Sequence, residues 1–319
     1  MKLDRRTMLI GGGAVVGAAA VGTYVLRSPA PEVAEDTGPF KVGFVYVGPI
    51  GDHGWTYAHN QGRLLIEETF GDAVETTFVE SVKEGPDAER VIRQLAESGH
   101  KLIFTTSFGF MNPTIKVAQN FPDVMFEHAT GYQQAENVAS YNARFFEGRA
   151  VIGTVAGHMS KSGKAGYIAS FPIPEVVMGI NSFTLAAQKV NPDFETTVLW
   201  VDSWFDPAKE ADAAKALIDQ GVDVLTQHTD SPAALQAAEE RGVFAFGQAS
   251  EMSKFGPNAH LTAILNTWGP YYVERVRAAM DGTWSSGSHW TGLKTGLVGI
   301  ADYNPVIPED VVAAAEAMR

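Results

Sequence analysis

The chain's 319 residues, 45% of them hydrophobic, suffice to bury a sizeable core and by length divide into about two domains. Acids outnumber bases 37 to 24, and the resulting net charge of −13 repels nucleic acid and anionic lipid, so neither is an expected partner. The absence of cysteine excludes disulfides, thiolate metal sites, a catalytic thiol and a lipid carried on an N-terminal cysteine.

Residues 1–27 read as an export signal: Lys2, Arg5 and Arg6 precede an uncharged run from Thr7 to Leu26 rich in Gly, Ala and Val. Arg5-Arg6 followed by Thr7-Met8-Leu9 resembles the twin-arginine pattern, with Asp4 and Met8 departing from it, and the general export route is the alternative. Either route places the mature protein in the periplasm or otherwise outside the cytoplasm. The apolar run of about 20 residues is also long enough to stay as an uncleaved anchor. Residues 28–39, with Pro29, Pro31, Pro39 and several acids, read as a tether.

From residue 41 onward, short β-branched and aromatic runs alternate with longer segments of helical apolar spacing. Strands are expected at 41–47, 74–80, 102–107, 124–127 and 138–141, with helices at about 57–70, 86–98 and 113–121 between them; Gly99 marks the second helix's end. After a helix at about 145–160 the pattern restarts, with strands at 165–169, 197–201, 222–227, 243–246 and 261–265. Helices at about 174–190, 207–220, 232–241 and 270–281 separate this second set. The fold class is α/β, with two doubly wound, Rossmann-like lobes: 40–144, 145–266, and a segment 267–319 that returns across them.

Open α/β sheets bind ligands beyond the carboxyl ends of their strands, so the residues just after each strand are the candidates. They include Asp52, Trp55 and Thr56; Ser107 and Phe108; Phe171; Trp204 and Asp206; Asp230; and Gln248. Recurrent aromatics in such loops point to a cleft that sandwiches a flat ligand.

The stretches Gly51-Asp52-His53-Gly54-Trp55-Thr56, Thr105-Thr106-Ser107-Phe108-Gly109, Phe171-Pro172-Ile173-Pro174-Glu175-Val176 and Trp204-Phe205-Asp206-Pro207-Ala208-Lys209-Glu210 resemble the basic membrane protein family. These are substrate-binding proteins of ABC importers, related to bacterial purine nucleoside receptors, and the resemblance runs in order from about 40 to 283. It implies a type I periplasmic-binding-protein fold closing on a purine-like ligand, with an ABC transporter permease as partner. By the same resemblance, Asp52, Trp55 and Thr56 would form the base-recognition loop, and Phe108, Phe171 and Trp204 the aromatic walls. Gln248 and Trp268 stand where nucleoside-binding members carry the Asp and Lys expected to hold ribose, which favours a free nucleobase.

Several candidates carry a plainer reading. Asp52 and Asp206 are placed to cap helices, as Asp230 before Ser231-Pro232 also is, and any of Phe108, Phe171 and Trp204 could cap a core. Trp55, between Gly54 and Thr56, is expected to stack on ligand and carry little packing. Histidine spacings give no metal ligand set, and GxGxxG, GxxxxGK[ST] and GxSxG are absent, so no cofactor is expected. The expected protein is a receptor that breaks no bond. Its alternatives are an exported nucleoside hydrolase or nucleobase deaminase using Asp52, His53 or His228 with Asp230, and a sensor subunit presenting its ligand to a membrane receptor.

Overall fold

A computed structural model describes residues 38–319, so the export signal at 1–27 and all but the last two residues of the tether lie outside the described residues. Two six-stranded sheets form the frame. The first has the order β11-β5-β4-β3-β1-β2, built from β1 (Phe40–Val45), β2 (Val74–Val79), β3 (Leu102–Thr105), β4 (Met125–Ala129), β5 (Val138–Ala143) and β11 (Ser288–Thr291), all parallel. The second has the order β12-β10-β9-β8-β6-β7. It is built from β6 (Lys164–Ala169), β7 (Glu195–Trp200), β8 (Val224–His228), β9 (Phe244–Ala249), β10 (His260–Asn266) and β12 (Val298–Ile300), of which β12 alone runs antiparallel to its neighbour β10.

The inner strands are largely buried because both faces are covered, whereas the edge strands β2 (VETTFV) and β7 (ETTVLW) carry polar residues and are partly exposed. Along β1 and just beyond it, Val42, Phe44 and Tyr46 face the helices α1 (Trp55–Phe70) and α8 (Gly269–Met280), whereas Val45 faces α2 (Pro86–Glu97) and α3 (Met111–Ala118). Helix α2 shows how the pattern specifies its place. Val91, Ile92, Leu95 and Ala96 form its buried stripe, Pro86 opens it, Asp87 and Glu89 occupy its first turn, and Gly99 follows its end at φ +87°. In the second lobe, α4 (Phe145–Met159) and α5 (Pro174–Val190) cover one face, and α6 (Pro207–Asp219) and α7 (Ala233–Arg241) the other.

The chain passes between the sheets three times among the described residues: from β5 to α4, from β10 to α8, and from β11 to β12. The last 53 positions are therefore shared. Helix α8 packs on α1 and β11 extends the first sheet, while β12 and α9 (Glu309–Met318) join the second lobe. The short strands β11 and β12 carry no alternating apolar run, and β11 (SHWT) is half exposed at a sheet edge, so pattern alone does not reveal them.

Candidate ligand site

Among the described residues five non-glycines adopt left-handed backbone, all at or beyond strand ends: His53 after β1, Ser81 after β2, Thr130 after β4, Asp202 after β7 and Ala249 closing β9. Such conformations cost of order 1–3 kcal/mol each and persist where surrounding structure enforces them. Beside them, at the carboxyl ends of the strands, lies a cavity of about 330 Å³ including its open mouth, with Thr130 in its lining.

Both lobes line it. From the first come Val47, Trp55, Ser107, Phe108 and Thr130; from the second, Glu175, Trp204, His228, Asp230 and Gln248. Six of the ten residues expected to bind ligand are thus brought together: Trp55, Ser107, Phe108, Trp204, Asp230 and Gln248.

The other four do not line it. Asp52 is buried, and its carboxylate accepts the amides of Gly54, Thr56 and Tyr57 at 2.9 Å each, so it caps the start of α1 and is spent there. Thr56 is buried too, its hydroxyl accepting the Gly48 amide at 3.2 Å. Phe171 meets the Trp204 ring edge-on, centroids 5.1 Å apart, and so buttresses a wall residue. Asp206 caps α6 by accepting the Lys209 amide at 3.1 Å.

Trp55 departs from its expected role in one respect. It is the first residue of α1, half-buried, with its indole N–H donating to the Thr106 carbonyl at 2.6 Å and its ring edge-on to His59 and Trp268. It therefore carries packing as well as lining the cavity, because the helix begins two residues earlier than its apolar spacing indicates. Trp268 is wholly buried behind it, stacked on His59 at 4.6 Å.

The electrostatics are those of a dry, neutral-leaning pocket. Burial pushes the Glu175 carboxyl up to about 8, against an opposing hydrogen bond from Asn142. Burial, joined by the nearby Asp52 and Glu210 carboxyls, holds Asp230 well above the usual carboxylate range. Burial pulls His228 down to about 3, helped by the Arg149 guanidinium, so its imidazole is neutral. Glu175 Oε2, Asp230 Oδ2 and His228 Nδ1 have no hydrogen-bond partner. Arg149, itself buried, donates to the Thr226 hydroxyl, the Gln227 carbonyl and Gln248 Oε1 at 2.6–2.9 Å. With its oxygen so held, Gln248 has its amide N–H groups left for the cavity.

A family model for PnrA-like ABC transporter substrate-binding proteins matches residues 40–318. The chain belongs to that family. It is 63% identical over 276 residues to a purine-binding protein of Brucella abortus, covering 86% of this chain and 79% of that one. A Haloferax volcanii protein provisionally named for glucose binding is 40% identical over 279 residues, covering 86% and 71%. Among solved structures, an ABC transporter solute-binding protein of Aeropyrum pernix superposes with a TM-score of 0.74 at 23% identity, covering 88% of this chain and 86% of that one.

Three lining residues escape sequence reading, Val47, Thr130 and Glu175, while His228 figures in it only as a partner of Asp230 in an enzyme. Thr130 lies in the loop after β4 and His228 closes β8, both at strand ends that the pattern already marks. Glu175, in the first turn of α5 after Pro174, reads as an ordinary acidic helix start, and only its burial reveals otherwise.

Proposed function

We propose that the protein is an extracytoplasmic receptor that captures a purine nucleobase, closes over it and passes it unchanged to the membrane permease of an ABC importer. The observation that carries this reading is an aromatic-walled cavity in which buried polar atoms of Glu175, Asp230 and His228 stand without partners. Unpartnered buried polar groups are costly, and a planar heterocycle with donors and acceptors around its edge would satisfy them while Trp55, Phe108 and Trp204 contact its faces. Stacking of that kind contributes about 1–3 kcal/mol per aromatic. The relative named for purine binding supports the same ligand class.

Free bases are favoured over ribosides. Gln248 is tied to Arg149, Trp268 lies behind Trp55, and a sugar would have to run past Phe108 and Glu175 into the open groove that shares those residues.

Calorimetry with adenine, guanine, hypoxanthine, their ribosides and glucose tests this. At least one free base should bind tenfold or more tightly than its riboside, with glucose far weaker. A riboside tenfold tighter than its base, or glucose the best ligand, overturns the specificity. Release of free base from adenosine or inosine would overturn the binding role in favour of a hydrolase.

A further inference from the structure

The loop between β2 and α2 carries Glu84, which does not line the cavity and belongs to no part of the site described so far. Its Oε1 accepts three hydrogen bonds: from the Ser107 hydroxyl at 2.6 Å, from the Gly109 amide at 3.1 Å, and across the cleft from the Trp204 indole N–H at 3.2 Å. The first two donors belong to the first lobe and the third to the second. We propose that Glu84 is the latch that holds the two lobes closed and positions Trp204 against the ligand.

Three further features agree with that role. Trp204 is placed from its other sides by Phe171 edge-on to its ring and by the Asp230 amide donating to its carbonyl at 3.0 Å, so the indole N–H is the last of its anchors and the one that depends on closure. A side chain at Gly109 would overlap the Glu84 carboxyl, so glycine there is what lets the carboxylate approach the Phe108 loop. The latch also sits at the exposed rim, where it can form and release without stripping water from a buried charge, as a receptor that must let its ligand go requires. Glu84 acts through Trp204, and is a positioning residue.

The proposal rests on the reading of the cavity as a ligand site, and its test separates the two. The native chain has no cysteine, so Gln119→Cys and Lys215→Cys, both exposed and one in each lobe, give a spin-labelled pair that reports the distance between lobes without reference to any ligand's identity. Glu84→Ala should move the distance distribution toward longer separations, and should raise the adenine dissociation rate about fivefold while leaving the association rate within about twofold, since one net hydrogen bond across the cleft is lost. Glu84→Gln keeps an acceptor oxygen and should restore both readouts. Trp204→Phe should act like Glu84→Ala, and the double variant should be no worse than either single one.

Unchanged distances and dissociation in Glu84→Ala, failure of Glu84→Gln to restore them, or full additivity with Trp204→Phe would each overturn the latch. If the distances respond to Glu84 and adenine does not bind the parent protein, the latch stands and the purine reading falls.

Discussion

Glu175 opens α5 with its carboxyl in the cavity wall, and burial keeps it protonated to about pH 8. A lobe-open protein would expose this group to water and return it toward its ordinary value of 4.5. The closed state therefore binds the extra proton, so its advantage from this group is fully present below about pH 4.5 and drains away as the pH rises through about 8. Asp230 and Asp52, also raised by burial, act in the same direction. Purine affinity measured by calorimetry should fall between pH 5 and 8, each unit of pH costing up to about tenfold per titrating group. Glu175→Gln keeps a donor and cannot titrate, so its profile should be distinctly flatter. An identical slope in the variant would show that Glu175 is already charged in the bound state. Spacing does not single this residue out, because its character comes from burial, which the opposing hydrogen bond from Asn142 only partly offsets.

Helix α1 owes its start to a turn in which Asp52 gathers three amides and Gly54 becomes the first half-helical residue. A Cβ there would overlap the backbone of Asp230, which belongs to the opposite lobe. Closure brings the two loops into a contact that only glycine permits, and Ser250, donating to the His53 carbonyl, adds a second tie nearby. Gly54→Ala should leave the ligand-free melting temperature nearly unchanged and weaken ligand binding at least tenfold, with scattering that stays expanded at saturating ligand. Tight binding with normal compaction would mean the loops part more widely than their contact indicates.

At this scale the sequence was a good guide. Runs of four to seven residues marked nine strands to within two residues of the described ends and β9 to within three, since parallel strands buried on both faces cannot hide their composition. Loops after those strands do border the cavity, yet Asp52 and Thr56 turn inward to satisfy backbone amides while Trp55 turns to the cavity. Adjacent positions in a turn point in different directions, and spacing alone does not say which.

The whole molecule is two sheets threaded by one chain that changes lobe three times. Tyr272 of α8 shows what this does to stability. Its ring packs between Phe44 and Phe104 at 5.4 and 4.4 Å, and its hydroxyl meets Tyr141 at 2.8 Å and His59, so the first lobe's core is completed by a residue that arrives after the second lobe has been traversed. A fragment of residues 38–144 would lack both α8 and β11 and should fail to fold. The intact protein should melt in one calorimetric transition whose van't Hoff and calorimetric enthalpies agree; two resolved transitions would show that the lobes are thermodynamically separate. That shared core lay beyond sequence reading because it joins positions 131 residues apart, and the spacing that marks α8 as a helix does not say which lobe it packs on.

Three crossings also bear on self-association. Two-domain chains joined by a single linker can trade a domain with a second copy by opening one hinge, which is the low-cost route to swapped dimers. Here an exchange of lobes would require all three connections to open in both copies, with α8 peeled from α1 and β11 from β5 at the same moment. The interleaved chain thus lets the lobes rock about their hinge strands for every ligand captured, and denies them the larger opening that would make one receptor into half of another.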